Sequence, residues 1–550
     1  MPSRFRGARL PALAAAPPLV AAEEIARPDP ELARELVDQR IDPARLIVEL
    51  YEARLLPRHA RRASGVYYTP RWIIEAMLDR LPVRGEWLDP SAGAGAFLVE
   101  IVRRHGRAAL SWLSACDVDP HALDAAAFAL EALLGRDARE DVAAWRRNRA
   151  HGIDFLRREW PGARPDVIIG NPPYGLSAEP DLPALFSELR GEIDLYACFL
   201  LQASKVAVPG GRVSLLVPDT WLTNARAAAL RGLLAEHGLA RIVDFGKPFT
   251  TAPDTRVHAV SLRAGAETCE VESVRRDVLT PMASSTAGDL RKQARTGWRL
   301  YRTPGEVAAC RKLERASRLD ARFKVLYGLR TGDNARHIAE GPGLVPLIAG
   351  RDFDAFDRHP TARHLKNVAP FQSTLSRQRG RWKIGIQRIR TNSQLSWRRW
   401  VEAALLQPDE VGLDSLTLVA DPLLDQGAPD PSAALLGLLG VLSSSVLNRW
   451  YRLTFTDVNV KPAYVTAIPV PALDADIAAL VQRRLASPGA QALERAIDRL
   501  VAVAYELTED ELESLEAEFW GPDRPKLPSL DEARWMARRT EDAPLQRKGG

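Results

Sequence analysis

From Trp87 to about Leu262 the chain repeats one pattern. Apolar runs too short for helices, at 86–88, 112–116, 167–169, 213–217, 242–245 and 258–262, alternate with Ala- and Leu-rich stretches of helical periodicity. Strands alternating with helices predict an α/β domain of the doubly wound, Rossmann-like kind, a largely parallel sheet with helices on both faces. Ahead of it, Leu32, Leu36, Ile41, Leu46, Ile47, Leu50 and Leu55 recur at roughly helical spacing and predict a small helical unit. Residues 1–22 combine Arg4, Arg6 and Arg9 with an Ala/Leu/Pro stretch that superficially has the form of a secretory leader. Pro11, Pro17 and Pro18 break that apolar run, so a disordered arm is expected there.

Behind the sheet, polar sequence at 265–298 reads as a connection, although 269–274 could add a strand. A second, mixed α/β domain starts near Phe323, and the pattern from 474 to 520 is a helical tail. Thr508 and Glu511 make a capping box at the start of its last helix, with poor order expected beyond Gly521. The resulting division is 1–62, 63–265, 266–320, 321–472 and 473–550. The apolar stretch 433–446 is too short to span a bilayer and contains three serines, so no membrane segment is expected.

Composition adds two points. Hydrophobic residues at 46% and charged residues at 26% of 550 exclude collagen-like, mucin-like and wholly disordered chains. The formal net charge of +5 hides a cluster: residues 355–400 hold 11 Lys and Arg against one acid, Asp357, a local net of +10. Phe356, Phe371, Trp382, Trp397 and Trp400 interleave with those cations, a mixture suited to a polyanion carrying stackable bases. The alternative is a solvated basic face with a few core tryptophans. Arg dominates the cations, and Arg is suited to bidentate contact with phosphate or guanine, although genome base composition would give the same bias. Cys116, Cys198, Cys269 and Cys310 are far apart and indicate neither a disulfide framework nor a metal knuckle, which fits a reducing, cytoplasmic setting.

The chemistry sits at strand ends. The first strand runs into Asp89-Pro90-Ser91-Ala92-Gly93-Ala94-Gly95-Ala96-Phe97 and a helix, a turn that lets the backbone approach a ligand. The second ends in Asp117-Val118, where a carboxylate can accept both ribose hydroxyls. Asp154-Phe155 is expected at the end of the third, where an acid and an aromatic face suit an adenine. No third glycine follows at dinucleotide spacing, so an adenosine-containing cofactor of another kind is indicated. The strand at 167–169 leads into Asn171-Pro172-Pro173-Tyr174-Gly175. Two prolines remove two backbone donors, leaving the Asn171 side-chain carbonyl and the Pro172 main-chain carbonyl to accept both hydrogens of a planar exocyclic amine, with Tyr174 able to stack on its ring. Methyl transfer to that amine requires no metal.

These motifs, with Gly65-Val-Tyr-Tyr-Thr69-Pro70 before them and Asp194-Leu-Tyr-Ala-Cys-Phe199 and 209–221 after them, resemble γ-type, TaqI-like N6-adenine DNA methyltransferases that use S-adenosylmethionine. The resemblance covers about 65–265. It implies that Thr69, beside Pro70, and Asp89 of the Ser91/Gly93/Gly95 loop hold the methionine portion, that Asp117 holds the ribose, and that Val118, Asp154 and Phe155 hold the adenine. Asn171 and Pro172, followed by Pro173, would hold the target amine, and Tyr174 with Phe249 would sandwich a base flipped from the stack. The interval between Asp117 and Asp154 suggests an inserted Arg/Asp-rich loop near 135–150. Segments 327–334, 345–353 and 431–471 resemble target-recognition domains, in which Arg377, Arg379, Arg381, Lys383, Arg388 and Arg390 would contact phosphates of double-stranded DNA. The expected activity is that of the modification enzyme of a restriction-modification or related defence system, a monomer whose cognate restriction endonuclease would be encoded separately. Two rivals remain: a methyltransferase acting on protein glutamine or RNA, and a catalytically silent DNA-specificity subunit. N4-cytosine transfer is a further option.

Overall fold

The computed structural model describes residues 16–55, 69–176, 180–190, 194–249, 255–275, 278–341, 345–388, 399–455, 459–520 and 525–538. The chain divides into two compact units, Met1–Leu300 and Tyr301–Gly550.

In the first unit ten strands form one sheet: β1 (Trp87–Asp89), β2 (Leu113–Asp117), β3 (Ala150–Gly152), β4 (Val167–Gly170), β5 (Arg212–Pro218), β6 (Leu239–Gly246), β7 (Val257–Arg263), β8 (Thr268–Arg275), β9 (Val278–Pro281) and β10 (Ser285–Thr286). Their order is β10-β8-β6-β7-β5-β4-β1-β2-β3, with β9 beside β8. Strands β3, β2, β1, β4 and β5 are parallel, and β7 runs antiparallel to both β5 and β6. The expected doubly wound α/β fold is present. All four residues of β4 are buried, which is why Val167-Ile-Ile-Gly170 is continuously apolar: a central parallel strand is covered on both faces. From β1 the chain winds outward through β2 and β3, then returns to β4 on the other side. The β1/β4 boundary is therefore the topological switch point, where open α/β sheets leave a crevice at their carboxyl ends.

Four expectations change. Helices α1 (Pro18–Ala26), α2 (Pro30–Asp38) and α3 (Pro43–Leu55) share one core with the sheet and are no separate unit. Pro18, expected to interrupt order, opens α1, because the first helical position needs no backbone N–H partner; residues 1–15 lie outside the described residues. After α4 (Arg71–Leu78), α5 (Ala96–His105) and α6 (Pro120–Leu134), the supposed inserted loop is mostly helix α7 (Arg139–Asn148). Its Glu140 and Asp141 lie in the first turn and Arg146 and Arg147 in the last, so the mixed charge complements the helix dipole. Its Trp145 is 2% exposed and donates from Nε1 to the Leu113 carbonyl at 2.8 Å. Finally, most of the supposed connection adds β8, β9 and β10 to the sheet, and the division falls at 300/301.

The second unit holds a four-stranded antiparallel sheet of β11 (Lys324–Tyr327), β12 (Lys383–Gln387), β13 (Ala403–Leu406) and β14 (Leu416–Ala420), in the order β11-β14-β12-β13. Around it lie α9 (Gln372–Gln378), numbered after α8 (Leu195–Val206) of the first unit, then α10 (Ala433–Ser443), α11 (Ser445–Thr454), α12 (Ala475–Ala486), α13 (Gln491–Ala504), α14 (Glu509–Trp520) and α15 (Leu530–Arg538). The expected tail is core rather than appendage. Arg495 of α13 pairs with Glu516 of α14 at 2.5 Å, and Asp498 accepts from Ser445 N–H and Trp520 Nε1 at 2.8 and 2.7 Å. The Thr508/Glu511 capping box is present, but α15 follows its helix, so order continues beyond Gly521. Helix α10 is apolar all round because it is buried, and among the described residues no single helix is long and apolar enough to cross a membrane.

With α7 packed through its tryptophan, Trp145→Ala will lower unfolding free energy by about 3–5 kcal/mol in urea denaturation. A loss below about 1 kcal/mol would mean that the segment behaves as a surface loop.

Candidate methyltransferase site

Two residues meet at the switch point. Asp89 closes β1 and Gly170 closes β4, and a Cβ on Gly170 would fall 2.5 Å from Asp89 Oδ1. Only glycine lets the carboxylate lie there, one residue before Asn171. Asp89 is 1% exposed, and its Oδ1 accepts the Ser91 N–H at 3.1 Å. Burial pushes its carboxyl up to about 8.

The Asn171 amide is held from both ends. Its Nδ2 donates to Thr69 Oγ1 at 3.0 Å, and its Oδ1 accepts the Tyr174 hydroxyl at 2.6 Å. The Tyr174 hydroxyl also lies 3.3 Å from the Leu216 carbonyl of β5. Its ring meets Tyr196 of α8 edge-on at 6.5 Å. Beyond it, Asp194 Oδ1 accepts the Gly175 N–H at 2.8 Å, fixing the exit of the loop. A carbonyl oxygen has two lone pairs, so Oδ1 can accept more than one hydrogen bond. Thr69, expected against the methionine end of a cofactor, thus orients the amide. Tyr174 and Phe249, expected as open walls of a base slot, are only 6% and 3% exposed. In this structure Tyr174 positions Asn171 instead of offering a free ring face.

The glycine loop lies one strand over. Gly93 and Gly95 have φ of +53° and +90°, and a Cβ on Gly95 would meet the Ala126 Cβ at 2.9 Å, so this glycine lets α5 pack on α6. Gly93 N–H donates to Asp117 Oδ2 at 2.8 Å and Asp119 N–H to Asp117 Oδ1 at 2.9 Å. Burial raises the Asp117 carboxyl despite these bonds. Val118 beside it is 71% exposed, and Pro70 and Ser91 are half-buried.

Helix α3 adds residues that sequence reasoning missed. Tyr51 donates from its hydroxyl to Asp119 Oδ2 at 2.9 Å, and Glu52 approaches Gly93. Their partners are more than 40 positions away, and the acids at 49 and 52 share the helix with Arg45 and Arg54, so no local signal singles them out.

The third expected cofactor element differs. Asp154 lies two residues beyond β3, with Oδ1 accepting the Leu156 N–H at 2.9 Å and Oδ2 paired with Arg157 at 2.7 Å. Phe155 is 2% exposed and stacks on Phe199 at 5.7 Å.

The residues nevertheless fit S-adenosylmethionine. Ser91 Oγ and Glu52 Oε2 are buried without a hydrogen-bond partner, and among the described residues no cation makes an ion pair with Asp89, Asp117 or Glu52. Such a site lacks positive charge and donors, which this cofactor carries.

In the second unit the basic cluster dissolves. Arg358 pairs with Glu410, Arg363 with Asp352 and Arg399 with Glu494. Phe356 joins the core, and Trp382 donates to the Ala428 and Pro429 carbonyls at 3.2 Å. Lys383, expected on phosphate, is 0% exposed on β12 and donates to the Arg381 and Gln407 carbonyls, with burial pushing it down to about 8. Arg388 lies at the other end of that strand, bonded to the Asp414 carbonyl at 2.9 Å. Arg377 and Arg379 are exposed, Arg381 is half-buried, and Arg390, Trp397 and Arg398 lie outside the described residues.

Residues 163–249, from just before β4 through the Asn171–Tyr174 loop, α8 and β5 to Phe249, match the Eco57I restriction-modification methylase family. The chain is 28% identical over 330 residues to the Type II methyltransferase M.TthHB8I of Thermus thermophilus, covering 55% of this chain and 69% of that protein. It is also 28% identical over 214 residues to the Type II methyltransferase M.BanIII of Aneurinibacillus aneurinilyticus, covering 34% of this chain and 36% of the relative. Its fold is similar to that of the Type IIL restriction-modification enzyme MmeI in complex with DNA, with a TM-score of 0.55 at 12% identity, over 90% of this chain and 82% of that one.

Asp89 yields a pH test of the methylase site. Its carboxyl rises from 3.8 to about 8 on folding, so the folded form keeps a proton that the unfolded chain has lost, and stability falls as pH rises through that window. Asp89→Asn will lessen the fall in thermal midpoint between pH 5 and 8. An unchanged pH dependence would mean that Asp89 is not buried as a strained acid.

Proposed function

We propose that the chain methylates N6 of adenine at a specific site in double-stranded DNA, with S-adenosylmethionine as donor, as the modification enzyme of a restriction-modification or related defence system. The carrying observation is the Asn171 amide, turned by Thr69 and Tyr174 so that its oxygen and the Pro172 carbonyl can face one planar amine. Two acceptors in that arrangement bind both amine hydrogens and draw the nitrogen lone pair out of the ring plane's conjugation. When bound, S-adenosylmethionine supplies a methyl group on an electrophilic sulfonium. Asp117 would hold its ribose, while Asp89 and the Ser91–Gly95 loop would line its methionyl side.

An amine inside a duplex cannot reach a sheet-edge crevice, so the base leaves the stack. The cradle would also take a glutamine amide or an RNA base. The second unit, with its own sheet and helical core, favours DNA, since a small amide substrate leaves it without a use. The kinship to Type II methyltransferases supports the same reading. A silent specificity subunit would have no need of the Asn171 network. Within the second unit, Arg377 and Arg379 are exposed cations of the basic stretch available to phosphate, as is Lys366, whose Nζ also donates to the Ala335 carbonyl.

With labelled S-adenosylmethionine and DNA from an unmethylated host, the protein will place label in N6-methyladenine. Asn171→Ala will lower transfer at least ~100-fold, the scale of losing one oriented polar group at a reacting centre, while cofactor and DNA binding persist. Label only in protein or RNA, or turnover unchanged in the variant, would overturn the proposal.

Replacing Arg377 and Arg379 together with Ala will flatten the dependence of log affinity on log salt by about 0.9 for each phosphate no longer neutralised. Lys383→Ala will leave the slope alone and lower stability. A slope that answers to Lys383 and ignores the two arginines would reverse this assignment.

A further inference from the structure

Helix α3 carries to the glycine loop a carboxylate that the amine cradle and the ribose site do not use. Glu52 Oε1 lies 3.8 Å from where a Cβ on Gly93 would stand, and among the described residues no other side chain comes within 4 Å of that point. Its Oε2 is sealed from solvent and accepts no hydrogen bond. Among the described residues the charges of Glu49 and Asp117 act against its ionised form and that of Arg45 in favour of it, while Arg45 makes its ion pair with Glu100 at 2.9 Å. Ser91 Oγ in the same loop is a second buried atom without a partner. An acid buried beside other acids costs several kcal/mol when nothing compensates it. What is missing beside Gly93 is therefore a donor that also carries positive charge. A ribose hydroxyl supplies a donor but no charge, and Asp117 at the end of β2 is already placed for it. An ammonium supplies both.

We propose that Glu52 receives the α-ammonium of the cofactor's methionyl arm, so that the helical segment ahead of the sheet completes the cofactor site. This assignment rests on the S-adenosylmethionine reading above. It gives α3 a role beyond packing: an acid more than 30 residues ahead of Asp89 reads the amino-acid end of the ligand. Glu52 and Asp89 then line the charged methionyl arm, with Asp117 at the ribose.

The test is calorimetric binding to the full-length protein of S-adenosylmethionine, S-adenosylhomocysteine and 5′-methylthioadenosine, which lacks the amino-acid arm. Glu52→Gln is expected to weaken the first two about 10- to 100-fold, the range for losing a hydrogen bond to a charged group, and to leave methylthioadenosine unchanged. The melting temperature of the ligand-free variant is expected to match or exceed wild type, because the amide replaces an acid buried beside other acids without changing its size. Should Gln disturb the helix, Glu52→Asp, which keeps the charge but withdraws it, is expected to weaken the same two ligands selectively. Equal weakening of all three ligands, or of none, would overturn the assignment while leaving the cofactor reading in place. A wild-type protein that binds none of them would overturn both.

Discussion

The orientation of one side-chain amide governs this site. An asparagine amide rotated by half a turn would present two donors to an incoming amine and repel it. In this chain the rotation is opposed at each end, by Thr69 accepting from Nδ2 and by Tyr174 donating to Oδ1. Those partners come from distant parts of the chain. Thr69 leads into α4, and Tyr174 is braced by Tyr196 of α8 and the Leu216 carbonyl of β5. The loop is placed by β4, whose complete burial leaves it one register in the sheet. Secondary structure, motif spacing and chemistry thus converge on a single torsion.

The electrostatics of the first unit separate this region from the rest. Several buried charges elsewhere are paired, Arg241 with Glu272 and Arg256 with Asp244, while Arg231 and Lys383 donate to backbone carbonyls. The second unit follows the same rule with Arg449 and Glu306, and with Arg495 and Glu516. Around the glycine loop the rule fails, and Asp89 and Glu52 are each pushed up to about 8 by burial. Acids that lack a cationic pairing partner among the described residues suit a ligand that carries positive charge.

Much of the first unit was legible because its signals are local. Short apolar runs gave the strands, and the Asn171–Tyr174 and Gly93–Gly95 turns carry their geometry in residue type. The failures share a cause. Helix α7 reads as a charged loop until Trp145 is seen beneath β2, since charge on a helix face resembles charge in a loop. Glu52 is one more acid on a helix until Gly93, 41 positions later, comes beside it. Lys383 looks like its basic neighbours, yet its strand is buried along its whole length and the side chain ends on two carbonyls. Each depends on a tertiary neighbour that spacing alone does not reveal.

The fate of the basic cluster bears on how the second unit would meet a polyanion. The cations that read as one patch are distributed along both ends of β12 and into ion pairs, with Lys383 at one end and Arg388 at the other. Three of the eleven are bound to Glu410, Asp352 and Glu494. Their work is internal: they hold turns to the sheet and helices to one another. A docking surface on this unit would therefore draw less on bulk charge than the sequence suggests. Exposed Tyr327, 69% accessible at the end of β11, stands two residues before the Leu329 bridge to Leu413, at the same end of the sheet as Arg388. A sheet end that combines an exposed aromatic ring with a hydrogen-bonded arginine favours contact with particular groups over attraction to any phosphate chain. Affinity built that way falls less steeply with salt and discriminates more between sites, because each contact depends on shape and donor placement instead of summed charge.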